Sequence, residues 1–329
     1  MSLRLAIALL LSPLPAMAEG FLALDLPGSQ LTALADDGRS AAGSLAGSAG
    51  GGFRWRQGHG AQTLPHAVSV RGISPSGRYV AGSSLDENAD EVATWWDAAA
   101  DAHRIAGLPG AHSIGRTIDD TGQLGGIAHD RDDRRIAFSW TAAGGLQAYE
   151  SAPTSAPAGE AAQASSLSEP LTSAEENTVD SRVRAADIDE DVRTLPRCPG
   201  VAEGSAELPA PLEFVAASRD GALRVGHAGS SRQRRAVVWT AREGTQRLDV
   251  FLAAHGVEVP RDWTLVAATA VDADARRIGG YGLRQHRFDS FIAELPASVR
   301  ILCDSSTPPT ASQRRKPTDQ SIPSQEITP

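Results

Sequence analysis

Residues 218–239, SRDGALRVGHAGSSRQRRAVVW, decide the fold. The turn sequence Arg219-Asp220-Gly221 is followed by two short segments rich in apolar and β-branched residues. An Asp-Gly step supplies the positive φ that hairpin turns require, and the flanking segments show the partial alternation that is typical of strands. The stretch therefore predicts antiparallel strands joined by tight turns.

The same pattern recurs along the chain, which indicates an internal repeat. Each copy has a turn glycine, a second glycine about five residues later, and an aromatic residue after that. The turn glycines are Gly38, Gly77, Gly122 and Gly221, and the aromatic residues are Trp55, Trp95, Trp140 and Trp239. From turn glycine to tryptophan the offsets are 17, 18, 18 and 18 residues. A worn fifth copy has Ala293 where the tryptophan would fall.

Each repeat accommodates about four short strands, and the first three turn glycines are 39 and 45 residues apart, which suits a propeller blade. We expect an all-β, β-propeller-like array of four-stranded antiparallel blades, with five clear repeats and a candidate sixth that begins at 185–189. One blade cannot bury both faces of its sheet, so the recurrent tryptophans are predicted to fill the space between blades. Residues 21–26 are expected to complete the last blade beside 291–295 and so remove a sheet edge.

The repeat spacing breaks after Gly122, where the next turn glycine is 99 residues away. Much of the excess is dense in Ala, Ser, Pro and Glu, and we interpret it as an acidic low-complexity insertion at about 150–184. Residues 19–304 then form one propeller-like domain, and 305–329 form a disordered tail.

Residues 1–18 have the three parts of a secretory signal, with Arg4, an apolar run and Ala16-Met17-Ala18 at the cleavage site. Prolines interrupt the run before membrane-spanning length, and no later segment reaches that length, so we expect no transmembrane anchor. The predicted location is the periplasm or the cell exterior. In an oxidising compartment the two cysteines, Cys198 and Cys303, are predicted to form a disulfide rather than to act as reactive thiols.

Several motifs together resemble the HAF repeats of bacterial extracellular proteins. They are the turn-glycine copies above, linkers such as 107–110, the lead-in 251–256 and the terminal unit 263–296. The resemblance covers about 30–150 and 212–296. It implies a secreted β-propeller-like fold with no established catalytic residues. We expect neither the sorting tail nor the outer-membrane barrel into which some relatives continue.

The charge pattern limits the function classes. A net charge of −9 argues against a nucleic-acid-binding surface. Two acidic patches fall between the second and third strands of neighbouring repeats and form a predicted binding rim, made of Asp86, Glu87, Asp90, Asp130, Asp132 and Asp133. A shared cation or cationic ligand there is one interpretation, and ordinary loop solubility is the other. The acidic cluster 187–191 does not match the sequence of a calcium-binding loop, and we interpret it as a solvated acidic face.

No recognisable catalytic, phosphate-binding or dinucleotide motif is present, and the eight histidines are dispersed without metal-ligand spacing. We therefore assign no catalytic residue, metal or cofactor. The first hypothesis is a secreted, non-enzymatic, monomeric binding platform for a protein or glycan ligand. The second is an extracellular glycan-active hydrolase or lyase, which would need two carboxylates about 5 to 9.5 Å apart in a cleft.

Overall fold

The repeats fold into four-stranded antiparallel blades. The computed structural model describes residues 20–46, 51–108, 110, 112–132, 134–150, 208–230 and 233–303. Blade I comprises β2 (Ser29–Leu34), β3 (Ser40–Leu45), β4 (Gly52–Arg56) and β5 (Gly60–Leu64). Blade II comprises β6 (Ala67–Ile73), β7 (Val80–Leu85), β8 (Glu91–Trp96) and β9 (Ala102–Arg104). Blade III comprises β10 (His112–Ile118), β11 (Leu124–His129), β12 (Arg135–Thr141) and β13 (Gly145–Glu150).

Two further blades follow residue 207. Blade IV comprises β14 (Leu212–Ala217), β15 (Leu223–Ala228), β16 (Arg235–Thr240) and β17 (Gly244–Arg247). Blade V comprises β18 (Trp263–Val271), β19 (Arg277–Arg284), β20 (Arg287–Glu294) and, as its outer strand, β1 (Phe21–Ala23). Neighbouring blades pack in the order IV, V, I, II, III, so the propeller architecture predicted from the repeat is confirmed.

The N-terminal strand closes blade V as the sequence predicted. Phe21 pairs with Ala293 and Ala23 pairs with Phe291 in antiparallel register. The Phe21 ring stacks on Phe291 at 5.4 Å and meets Trp263 edge-on at 5.3 Å. The beginning and the end of the described chain are therefore joined within one sheet.

The second glycine of each repeat lies where a bulge interrupts the first strand of the blade. All five described blades have this bulge between their first and second strands. A Cβ atom placed on the glycine would lie 1.8–2.3 Å from a carbonyl oxygen of the first strand. The five glycines are Gly43, Gly82, Gly126, Gly226 and Gly280. Only a residue without a side chain allows the two strands to approach this closely.

Strand pairing changes the assignment of one tryptophan. Each bulge glycine pairs with one residue of the third strand, and the recurrent aromatic position lies two residues after that partner. This position is Trp55 in blade I, Trp140 in blade III, Trp239 in blade IV and Ala293 in blade V. In blade II the equivalent residue is Trp96, which pairs with Val80, whereas the predicted Trp95 pairs with Ala81. The number of residues between the turn glycine and the tryptophan includes the residues of a loop. It therefore cannot decide which of two adjacent tryptophans occupies the equivalent position.

In blades I and II the tryptophan at the equivalent position faces the preceding blade. Trp55 belongs to a buried cluster with Ile292 of blade V, and Trp96 to one with Leu64 of blade I. Trp95 points to the opposite side of its sheet and packs near Trp140 of blade III, with ring centroids 6.2 Å apart. The predicted interblade role therefore holds for these side chains, with Trp96 taking the place assigned to Trp95. Trp239 instead packs against Ile301 and Cys303 of the segment after blade V.

A chain of hydrogen bonds links the turns between first and second strands from blade to blade; we call it the collar. The amide of Arg219 donates to Ala273, the amide of Ala273 to Asp36, and the amide of Asp36 to Pro75, at 2.9–3.2 Å. Proline has no amide hydrogen to continue the series. Instead, the amide and hydroxyl of Ser76 both donate to the Asp120 carboxylate, at 3.0 and 2.6 Å.

One helix departs from the all-strand expectation. Helix α1 (Leu248–Ala254) follows blade IV and buries Leu248, Phe251 and Leu252 against the cluster between blades IV and V. In the part of the chain that the structure describes, α1 is the single helix, and it is far shorter than a membrane crossing requires.

Several predictions fall on residues outside the described ranges. They concern the signal segment 1–18, the insertion at about 150–184, the candidate sixth repeat at 185–189, the tail 305–329, Asp133 and Cys198. Cys303 is described, and its Sγ lies 3.2 Å from the carbonyl oxygen of Asp220. The disulfide between Cys198 and Cys303 stays a prediction.

Candidate binding surface

The predicted acidic rim lies at one end of the blades. In an antiparallel four-stranded blade, the loops between second and third strands and the connections to the next blade lie at the same end, which we call the loop face. The opposite end carries the collar and is called the turn face. Asp86, Glu87 and Asp90 lie in the β7–β8 loop, and Asp130 and Asp132 lie in the β11–β12 loop. Both loops are on the loop face of adjacent blades, as the sequence predicted.

The two acidic loops have the same internal hydrogen bonds. Asp86 Oδ1 accepts from the amides of Asn88 and Asp90 at 2.8 and 2.9 Å. Asp130 Oδ1 accepts from the amides of Asp132 and Arg134, also at 2.8 and 2.9 Å. A backbone hydrogen bond closes the base of each loop. The first aspartate of each loop therefore fixes the backbone, as in an Asx turn.

Two of the other described carboxylates of these loops are accessible to solvent. Glu87 and Asp132 are exposed, and Asp90 is half-buried. The nearest described cation to Asp132 is Arg134, at 4.0 Å, and both side chains are more than 70% exposed. Such an exposed ion pair contributes at most about 1 kcal/mol, so the Asp132 carboxylate stays accessible to a ligand.

Packing between blades II and III holds the two loops in fixed relation. His112 pairs with Glu91 in a parallel bridge, and the Ser113 hydroxyl accepts a hydrogen bond from the Ala93 amide at 2.8 Å. The connection between the blades passes so close to the second loop that a Cβ on Gly110 would lie 1.8 Å from the His129 carbonyl oxygen. The two acidic loops are thus mounted on a common rigid base.

A second charged cluster on the loop face was not predicted. Arg284 lies opposite Trp263 in blade V and contacts Asp25, Asp262 and Asp289 at 2.5, 3.2 and 3.7 Å. Asp289 is 5% exposed, and its Oδ1 accepts from the amides of Leu26 and Ser290. Asp262 and Asp289 both belong to the chain of blade V, and closure of that blade by β1 brings Asp25 to them.

The Arg284 cluster stabilises the closure of blade V. Asp289 accepts a hydrogen bond from the amide of Leu26, in the connection that follows β1. Asp25 lies in that connection too and contacts Arg284. Burial and two amide hydrogen bonds keep the Asp289 carboxylate away from a substrate. The cluster therefore serves the fold.

Replacing Asp289 with Asn is expected to change the pH dependence of stability. Burial raises the pKa of Asp289, and Asp25 adds to the increase, against the opposing amide hydrogen bonds and Arg284. The unfolded chain ionises first, at a pKa of about 3.9, so the wild type loses stability as pH rises from there through the folded pKa. Asparagine at position 289 still accepts the two amide hydrogen bonds but does not ionise, so the variant does not lose stability in this way.

Urea unfolding at a series of pH values between 3.5 and 7 measures this difference. The difference in the free energy of unfolding between Asp289→Asn and wild type should grow in favour of the variant as pH rises through the folded pKa of Asp289. Above that pKa the difference should be constant. The buried Asp272, whose pKa burial also raises, is unchanged in both proteins. Asp262→Asn, on the exposed side of the same arginine, is the control. Parallel curves for Asp289→Asn and wild type throughout would contradict the assignment.

The described residues contain no group of three or more His, Cys, Asp or Glu side chains arranged to hold a metal ion. Three of the described histidines each lie beside one carboxylate: His103 beside Asp97, His227 beside Glu213 and His255 beside Glu243, at 3.3–3.5 Å. His227 and Glu213 lie on neighbouring strands, whereas Asp97 and Glu243 lie in turns between third and fourth strands.

Comparison with known proteins gives likeness of fold only. No protein-family model matches the chain, and neither does any protein of curated function. Among solved structures, TolB from Acinetobacter baumannii is similar at 10% identity and a TM-score of 0.32, over 84% of this chain and 55% of TolB. The chain thus spans about half the length of TolB.

Two other similar structures are covered over more of their length. The β-propeller domain of the trilobed protease from Pyrococcus furiosus, described as having an open velcro topology, is 12% identical, with a TM-score of 0.31 over 84% of this chain and 73% of that one. XC5397 from Xanthomonas campestris, a gluconolactonase, is 11% identical, with a TM-score of 0.33 over 84% and 89%.

Proposed function

We propose that this protein is a secreted interaction protein, in which the propeller is a rigid platform and the acidic loops of the loop face bind a cationic partner. The observation that carries the proposal is the identical locking of the two loops by Asp86 and Asp130. A loop that is ordered before binding loses less conformational entropy when the partner arrives.

The chemistry of the loops specifies the partner. Exposed carboxylates at Glu87 and Asp132 project from locked backbones on adjacent blades. Complementary positive charge on the partner would speed association and exclude anionic competitors. A basic protein segment fits this surface.

The cellular setting belongs to the same proposal. Its support is the signal-like segment 1–18, and the predicted Cys198–Cys303 disulfide suits an oxidising compartment. The repeat motifs further support membership of the HAF-repeat group of extracellular proteins. Cleavage after Ala18 would leave β1 close to the new N-terminus.

Removing the outward carboxylates tests the binding surface. Titration of the exported protein with a hexalysine peptide should show binding that weakens about tenfold in the double variant Glu87→Gln, Asp132→Asn, because two charge contacts are lost. The control, Asp37→Asn with Asp101→Asn, removes two exposed carboxylates from the turn face. Equal loss in both double variants would indicate only general electrostatic attraction and would reject the site.

A pair of variants at Asp86 separates loop order from charge. Asp86→Asn and Asp86→Ala remove the same charge, but asparagine can still accept the two amide hydrogen bonds. We expect Asp86→Asn to bind the peptide more tightly than Asp86→Ala. Identical affinities would show that locking of the loop has no part in binding.

A further inference from the structure

The turn face carries a groove that the proposed function does not use. It has a volume of about 460 Å³ and lies between the turns of blades IV and V, beneath the segment 297–302 that follows the last strand. Its polar walls are Arg219 and Asp220 from blade IV and Asp274 and Arg276 from blade V. Arg300 and the apolar Val299, Ile301 and Leu302 form the third wall. This volume is within the range of small-molecule sites.

The arginines of the groove are unequally neutralised. Arg219 is held by the Asp36 carboxylate at 2.8 Å. Arg276 lies 3.8 Å from Glu294, but Arg277 already binds the other oxygen of that carboxylate through two nitrogens at 2.9 and 3.1 Å. Arg300 is exposed. The groove therefore has positive charge available at Arg276 and Arg300, in a chain of net charge −9.

The two aspartates of the groove favour a ligand that also donates hydrogen bonds. Asp220 Oδ1 accepts from the Ser218 hydroxyl and the Ala222 amide, which fixes the orientation of its carboxylate. Asp274 is exposed beside it on the neighbouring turn. The two carboxylates would repel a ligand that has several negative charges and no hydrogen-bond donors. They can accept hydrogen bonds from the hydroxyl groups of a ligand.

The apolar wall completes the description of the ligand. Leu302 is 58% exposed, although most large apolar side chains of the described blades are buried. Together with Val299 it offers a hydrophobic surface beside the charged groups, suited to the C–H face of a sugar ring. The groove thus combines a cation for a carboxylate, acceptors for hydroxyls and an apolar face.

We infer that this groove binds a carboxylated sugar, with Arg276 and Arg300 pairing with the uronate carboxylate and Asp220 and Asp274 accepting hydrogen bonds from ring hydroxyls. The planar guanidinium group matches a carboxylate through two parallel hydrogen bonds. The site is on the opposite end of the blades from the acidic loops, so it is independent of the proposed function.

Calorimetric titration of the full exported protein with tetragalacturonate tests the inference. We expect binding by the wild type, at least tenfold weaker binding by Arg276→Gln and by Arg300→Gln, and loss of binding when the oligosaccharide is methyl-esterified. Both arginines are exposed, so the variants should remain folded. Arg39→Gln, an exposed arginine on the turn of blade I, is the matched control and should bind as wild type does.

Three results would overturn the inference: no binding of tetragalacturonate by the wild type, equal binding of the methyl ester, or an equal reduction by Arg39→Gln. The double variant Glu87→Gln, Asp132→Asn should bind tetragalacturonate normally. Failure of hexalysine binding with retention of uronate binding would reject the acidic loops and leave the groove, and the reverse result would reject the groove alone.

Discussion

Gly226→Ala is expected to destabilise the protein by at least about 3 kcal/mol, a large part of the stability of a typical domain. An alanine Cβ would lie 1.8 Å from the Glu213 carbonyl oxygen and 2.8 Å from the Phe214 Cα. Both contacts are with backbone atoms, so no side-chain rotation relieves them. The first strand of blade IV would have to separate from the second, together with its packing against blade V.

Urea unfolding followed by tryptophan fluorescence measures this loss. Gly144→Ala is the control, because Gly144 is exposed in the turn after β12 and its nearest neighbour would be the Thr141 hydroxyl at 2.9 Å. The control should differ from wild type by less than about 0.5 kcal/mol. If Gly226→Ala is as stable as the control, the close approach of the strands at the bulge is not required by the fold.

Arg54→Ala is expected to cost about 3 to 5 kcal/mol, because Arg54 is a buried cation that joins two blades. It lies on the third strand of blade I and is 1% exposed. Its Nη1 donates to the carbonyl oxygens of Arg78 and Asp97 at 3.1 and 2.8 Å. Its Nη2 donates to the Ala98 carbonyl and the Gln62 amide oxygen at 2.6 and 2.8 Å. Alanine would remove these four hydrogen bonds and would create a cavity between blades.

The neighbouring Arg56 provides a matched control. Arg56 lies two residues along the same strand, with one long hydrogen bond of 3.4 Å to Gly77. Arg56→Ala should cost less than about 1 kcal/mol. Burial lowers the pKa of Arg54, and the Arg56 charge adds to this effect, so Arg56→Ala also removes a repulsion. Similar unfolding free energies for Arg54→Ala and Arg56→Ala would contradict the interblade role.

Turn chemistry made the architecture predictable. Asp-Gly and Ser-Gly turns, the second glycine and a recurrent aromatic residue define the blade, and the complementary strand at 21–26 defines its closure. These signals are local and repeat with the same spacing. The acidic loops could also be located, because their position follows from counting strands within a repeat.

Other features depend on contacts between blades and are not visible in a local pattern. Arg54 stands between Phe53 and Trp55, and in a one-sided sheet such a residue would face water. A propeller blade packs against a neighbouring blade on each face, so side chains in the middle of its third strand are buried on both faces of the sheet. With the fold established, this argument would have identified Arg54. Helix α1 was not predicted, because Phe251 and Leu252 lie in the segment 251–256 that was assigned as a lead-in to the last repeat.

The collar determines where the chain can gain length. Each turn of the collar donates to the turn of the next blade, so an insertion there would break contacts on two sides at once. The long additions of this chain instead fall between blades III and IV and between blades IV and V, where α1 is found. The connection that holds α1 lies on the loop face. Lengthening of the chain in a loop-face connection, as at α1, therefore leaves the collar intact.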